Sequence, residues 1–152
     1  MAITKTDCLI LLKDLQSKGI DTKDYSVKVI KSANPPMEVI KFINDNRPFE
    51  VGKFYERIRK QGNLRKSTLY KNIVRSDEDE PKNVLTTLSS LNLQILLSAE
   101  KCDDPNMFLQ NARFDEINAV LYNYSKTFDI IPCIELLKAI KADLKAFEAM
   151  KE

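Results

Sequence analysis

Ile131-Pro132-Cys133-Ile134-Glu135-Leu136-Leu137-Lys138-Ala139-Ile140-Lys141-Ala142-Asp143-Leu144-Lys145-Ala146-Phe147 decides the fold class. Cys133, Leu137, Ile140, Leu144 and Phe147 recur alternately four and three residues apart, which puts them on one face of an α-helix. A strand would need an apolar residue at every second position. Pro132 fits the first turn, where its missing N–H costs nothing. The seam spans about two heptads, and a coiled coil needs about three or four, so its expected use is packing into a bundle.

The same period continues upstream. Pro81 opens a helix carrying Val84, Leu88, Leu91 and Ile95, with Leu85, Leu96 and Leu97 widening its apolar face. Cys102-Asp103-Asp104-Pro105 breaks the pattern, with Asp104 placed as a helix cap. Residues 108–126 then read as one or two helices, bearing Ile117, Val120, Leu121 and Tyr124. These segments predict a C-terminal three-helix bundle with Leu88, Leu91, Ile95, Leu121, Leu137, Ile140 and Leu144 in its core.

In the N-terminal half, Thr4 or Thr6 caps a first helix with Cys8, Leu11, Leu12 and Leu15 at helical spacing, and Gly19 stands at its C-terminal cap. Residues 21–33 are ambiguous. Tyr25, Val27 and Val29 alternate like a strand, whereas Val27, Ile30 and Lys31 suit a short helix, and without a partner strand the helix is favoured. Asn34-Pro35-Pro36 starts another helix, with Val39, Ile40 and Ile43 on one stripe ending near Asn46. Val51, Phe54, Tyr55 and Ile58 form an amphipathic stripe, and Ser67 caps a segment with Leu69, Tyr70, Ile73 and Val74. Only three glycines occur, which fits helices joined by short connections better than a sheet with many tight turns. The expected fold is all-α: a compact multi-helix domain of six to eight helices.

Ser76-Asp77-Glu78-Asp79-Glu80-Pro81 is the clearest boundary, because four successive acids repel one another and favour water. It separates a basic helical half, 1–75, from an acidic helical bundle half, 76–152, and the two are expected to pack as one unit. Residues 1–75 hold sixteen Lys or Arg against eight Asp or Glu, net +8; residues 76–152 hold eight against fourteen, net −6. An overall charge of +2 conceals this division, which is a hint of polyanion binding or electrostatic association.

Several chemistries find no support. Histidine is absent, which removes the commonest general base and the commonest metal ligand. Cys8, Cys102 and Cys133 are widely spaced without a Cys-x-x-Cys pair, as expected of reduced, buried thiols in the cytoplasm. No apolar run approaches the roughly 18 residues of a membrane span. The acids at 77–80 and 103–104 lack the spacing of a calcium loop, and Asp115-Glu116 suits the dipole at a helix start. The expectation is a protein without catalytic residues, metal or cofactor.

The basic charge is concentrated. Between Lys53 and Arg75 stand Lys53, Arg57, Arg59, Lys60, Arg65, Lys66, Lys71 and Arg75, opposed only by Glu56. The stripe through Val51 and Ile58 leaves Lys53, Glu56, Arg57 and Lys60 on the outer face of its helix. Burial of Leu69, Tyr70, Ile73 and Val74 leaves Thr68, Lys71, Asn72 and Arg75 outward, residue types that contact phosphates and base edges.

Gly62-Asn63-Leu64-Arg65-Lys66-Ser67-Thr68-Leu69-Tyr70 resembles the turn and recognition-helix start of helix-turn-helix proteins, over about twenty-five residues including the preceding helix. The turn is one residue longer than in that pattern, and the first helix lacks the usual small residue. Helices at 36–46, 49–60 and 67–75 would complete a trihelical unit. The nucleic-acid-binding set is therefore Lys53, Arg57, Lys60, Arg65, Lys66, Thr68, Lys71, Asn72 and Arg75. Two functions follow: a small accessory nucleic-acid-binding protein of regulatory type, or a non-catalytic protein-interaction module or inhibitor with an acidic or apolar helical contact surface. In either, the C-terminal helices are candidates for a protein partner or a homodimer. A basic helix face that is merely solvated would look the same in sequence.

Overall fold

The computed structural model describes residues 3–60, 73 and 80–151, with side chains for all of these except 57–60 and 150–151. The described residues are 80% helical and contain no strand, and they form eight helices. In chain order these are α1 (Lys5–Ser17), α2 (Lys23–Lys31), α3 (Met37–Asp45), α4 (Pro48–Lys60), α5 (Pro81–Ala99), α6 (Pro105–Asn111), α7 (Phe114–Thr127) and α8 (Ile131–Lys151).

Local chemistry sets the helix ends. The Thr4 hydroxyl accepts from the Asp7 N–H at 3.1 Å and the Asp7 carboxylate accepts from the Thr4 N–H at 3.3 Å, a reciprocal capping box. At the other end of α1, Gly19 adopts φ 90°, and Gly19 N–H and Ile20 N–H donate to Gln16 and Leu15 carbonyls at 3.0 and 3.1 Å. That is a Schellman ending, and glycine enters it without the Cβ clash. Asp104 caps α6 through the Met107 N–H at 3.2 Å, as the sequence predicts.

Residues 23–31 are helical, settling the ambiguous stretch, but the buried face differs from the expected one. Val29 is fully buried while Val27 and Ile30 are exposed, because α2 turns Val29 toward α1 and α3 and stacks Tyr25 on Phe42 at 3.9 Å.

Two apolar clusters result. One gathers Cys8, Leu11, Leu12, Leu15, Val29, Val39, Ile40 and Ile43 from α1–α3. The other gathers residues of α4–α8 together with Ile73, which is helical and buried. Leu88, Leu91, Ile95, Leu137, Ile140 and Leu144 lie in it as expected, with Leu121 half-buried against it. Helices α5, α7 and α8 contact one another, and α4 runs along α8 in the most extensive helix pair. Gly52 permits that approach. A Cβ there would collide with Phe147 Cβ and lie 2.7 Å from the Asp143 carbonyl oxygen. Of the three helices of the expected trihelical unit, the first two correspond to α3 and α4, which divide between the two clusters. The third lies outside the described residues apart from Ile73.

Candidate functional site

The sequence-derived site begins on α4. Val51, Phe54 and Tyr55 are buried and Lys53 is exposed, as the apolar stripe requires. Glu56 departs from expectation. It is 6% exposed rather than on the outer face, so the apolar residues of α4 understate the arc that is covered. Arg57 and Lys60 lie on α4 four and seven positions beyond Lys53, with side chains outside the described set. Arg65, Lys66, Thr68, Lys71, Asn72 and Arg75 lie outside the described residues altogether.

A second constellation went unread in the sequence, and it is built around Arg113. Helix α6 ends at Asn111 and α7 begins at Phe114, so two residues must turn the chain. Arg113 does so at φ 58°, the left-handed region, which costs a residue other than glycine about 1 kcal/mol. The turn is held from α4 by Tyr55, whose hydroxyl donates to the Ala112 carbonyl at 2.6 Å. Burial pushes the Tyr55 phenol well above its usual pKa. It stays protonated as that donor.

This backbone aims the Arg113 side chain inward, where it is 2% exposed. Its Nε donates to Asp143 at 2.7 Å and Nη2 to the same carboxylate at 3.3 Å, a two-point contact with α8. Nη1 donates to both Glu116 oxygens at 3.2 Å, and Nη2 to Asp45 on α3 at 3.2 Å. Asn44 Nδ2 donates to Glu116 Oε1, and Gln110 Nε2 donates to Asn44 Oδ1 at 2.9 Å. The network ties α3 of the first cluster to α6, α7 and α8 of the second. Glu116 therefore does more than face a helix dipole: it is buried because it answers Arg113.

The charges do not balance locally. One guanidinium faces three carboxylates, and Lys41 joins from the surface through Asp45 at 2.6 Å. Burial opposes the charge on Arg113, but its hydrogen bond to Asp143 and the fields of Glu116 and Asp143 outweigh that, and its pKa is raised. Burial also lifts the Asp143 carboxyl to about 6; the Arg113 contact lowers it, while Glu116 and Asp45 push it further up.

Above the network lies a groove of about 710 Å³ between α3, α7 and α8. Arg113 and Glu116 reach its floor, Val120, Leu136 and Ala139 supply apolar wall, and Glu135 stands at its edge. Two sequence signals pointed here. Arg113 is the one cation between Lys101 and Lys126, and Asp143 interrupts the apolar face of α8 beside Ile140 and Leu144.

The cysteines offer no nucleophile at this site. Cys8 and Cys133 are fully buried and Cys102 partly so, all as free thiols, and burial with nearby Asp7 and Asp115 pushes Cys8 to about 12. Among the described residues no group of His, Cys, Asp and Glu could hold a metal ion, and no helix is long and apolar enough to cross a membrane. No family model, curated protein or solved structure matches the chain.

Proposed function

We propose that this is a small, non-catalytic accessory protein that contacts nucleic acid through the basic segment 53–75. The observation that carries the reading is the concentration of like charge in that segment. Eight Lys or Arg stand there against Glu56 alone, and Lys53, whose side chain is described, is exposed. Such an accumulation of positive charge attracts phosphates. Free thiols support a reducing compartment such as the cytoplasm.

Fluorescence anisotropy with labelled duplex and single-stranded probes tests this across a salt series. Binding should weaken with salt, with a slope of about 0.9 per phosphate contact on duplex DNA. Lys71→Ala with Arg75→Ala should flatten that slope by about two, whereas Thr68→Ala or Asn72→Ala should alter sequence preference. Absence of binding to either probe at low salt would overturn the reading.

A protein-interaction module is the second reading. It is favoured by α5, which carries no charged residue from Asn83 to Ala99 and leaves Leu93 and Leu97 exposed one turn apart.

A further inference from the structure

The groove between α3, α7 and α8 has a chemistry opposite to that of the basic segment. Its floor holds two almost fully buried side chains, Arg113 and Glu116. An entering anion would look to Arg113, yet Nε, Nη1 and Nη2 already donate to carboxylates. Glu116 is less occupied. Its Oε1 accepts from Asn44 and Arg113, but among the described residues its Oε2 accepts only from Arg113, at 3.2 Å. Acceptor capacity therefore remains on a carboxylate that lines the groove.

The lining charge is negative by one. Glu38, Glu116 and Glu135 face Lys41 and Arg113; Glu38 pairs with Lys28 at 3.2 Å, Lys41 with Asp45, and Arg113 with Asp45, Glu116 and Asp143, which leaves Glu135 as the carboxylate still to be matched. Glu135 is exposed and has no ion-pair or hydrogen-bond partner among the described residues. Between these carboxylates run apolar side chains, Val120 of α7 and Leu136 and Ala139 of α8. The volume, about 710 Å³, falls in the range of about 300–1,000 Å³ that small-molecule sites occupy.

We propose that this groove binds a small organic cation, an ammonium head carried on an aliphatic or aromatic body. The head would sit near Glu116 and Glu135 and the body along Val120, Leu136 and Ala139. A partner helix laid across the groove would meet the exposed rim, whereas a head the size of one ammonium group can reach a floor as buried as Glu116. The site is independent of the basic segment, and its failure would leave the nucleic-acid reading untouched.

Matched probes test this on the full chain: 2-phenylethylamine, 2-phenylethanol and 3-phenylpropanoate, which share a ring and differ in charge. Amide chemical shifts recorded by NMR during titration should move for the amine, saturably, at residues of α3, α7 and α8, and not for the other two. Glu135→Gln, at an exposed position that folding does not need, should weaken the amine about threefold, the effect of losing one partly screened charge contact. Ala139→Leu, which fills the wall, should abolish the response; should that variant fail to fold, the Glu135→Gln result decides. Equal response to all three probes would overturn the proposal, as would shifts elsewhere or none at all. A basic amphipathic peptide that perturbs these residues where the amine does not would also overturn it, in favour of a protein occupant.

Discussion

Replacing Arg113 by Met removes the guanidinium that holds three helices together and keeps the aliphatic stem. Met reproduces the unbranched stem of Arg as far as Nε, and it would bear the same left-handed strain at φ 58°, so the backbone term cancels. What remains is the side chain. Asp143 and Glu116, 3% and 6% exposed, would lose their counter-ion, and so would Asp45 at the edge of the network. Stranding one partner of a buried ion pair costs about 3–5 kcal/mol, and two deeply buried carboxylates place this case toward the upper end at pH 8. The cost should shrink in acid, because a carboxylate without its cation takes up a proton more readily. Urea unfolding at pH 8 and pH 5, followed by circular dichroism with slopes compared between proteins, measures both quantities. A loss below about 1 kcal/mol at pH 8 would refute the reasoning, placing Arg113 among ordinary surface substitutions. An equal loss at the two pH values would refute the electrostatic cause.

Asp143 should shape the pH dependence of the wild-type protein. Its carboxyl titrates near 6 when folded against 3.8 ordinarily, so the folded state holds the extra proton between those values, and this group's contribution to stability falls as pH rises from about 4 to about 6. Asp143→Asn should flatten that slope in denaturant titrations at fixed pH steps, and a slope identical to wild type would exclude Asp143 as its source. Gly52→Ala should destabilise even though alanine is the better helix former by about 1 kcal/mol, because the new methyl meets Phe147 and the Asp143 carbonyl; a rise in Tm would show that α4 and α8 have room to part. Ile140→Ala, at a fully buried position, should cost about 2–5 kcal/mol by chemical unfolding, and a cost under about 0.5 kcal/mol would mean the wrong face of α8 had been assigned to the core. Thiol titration of the native protein should find Cys102 accessible first, with Cys8 and Cys133 reacting only on unfolding; prompt reaction of all three would contradict their burial.

Helix existence was legible because it rests on local periodicity. The alternation at Cys133, Leu137, Ile140, Leu144 and Phe147 requires a helix whatever the partner, and all five are buried. Caps were legible for the same reason, since Thr4, Gly19 and Asp104 act on backbone groups within four residues. Faces were read less well where the apolar signal was thin. α2 has only Val29 fully buried, and three aliphatic side chains within four positions could not say which one faced inward.

The candidate sites divide along the same physical line. A basic segment can be seen in sequence because like charges accumulate along the chain. The Arg113 network could not be seen that way. The carboxylates that Arg113 pairs lie up to 98 positions apart, from Asp45 to Asp143, and meet only through folding. Each alone has a local explanation: Glu116 at a helix start, Asp45 near a helix end, Asp143 as one acid in a lysine-rich helix. What gives them away is misfit. An acid set into the apolar face of α8 must be matched by a cation from another element, or it would remain uncharged. Arg113, the lone cation between Lys101 and Lys126, was the candidate within reach of the bundle. The excess of carboxylates that this pairing leaves behind is a property no single segment carries, and it is what turns a packing contact between the two clusters into a groove with a preference for positive charge.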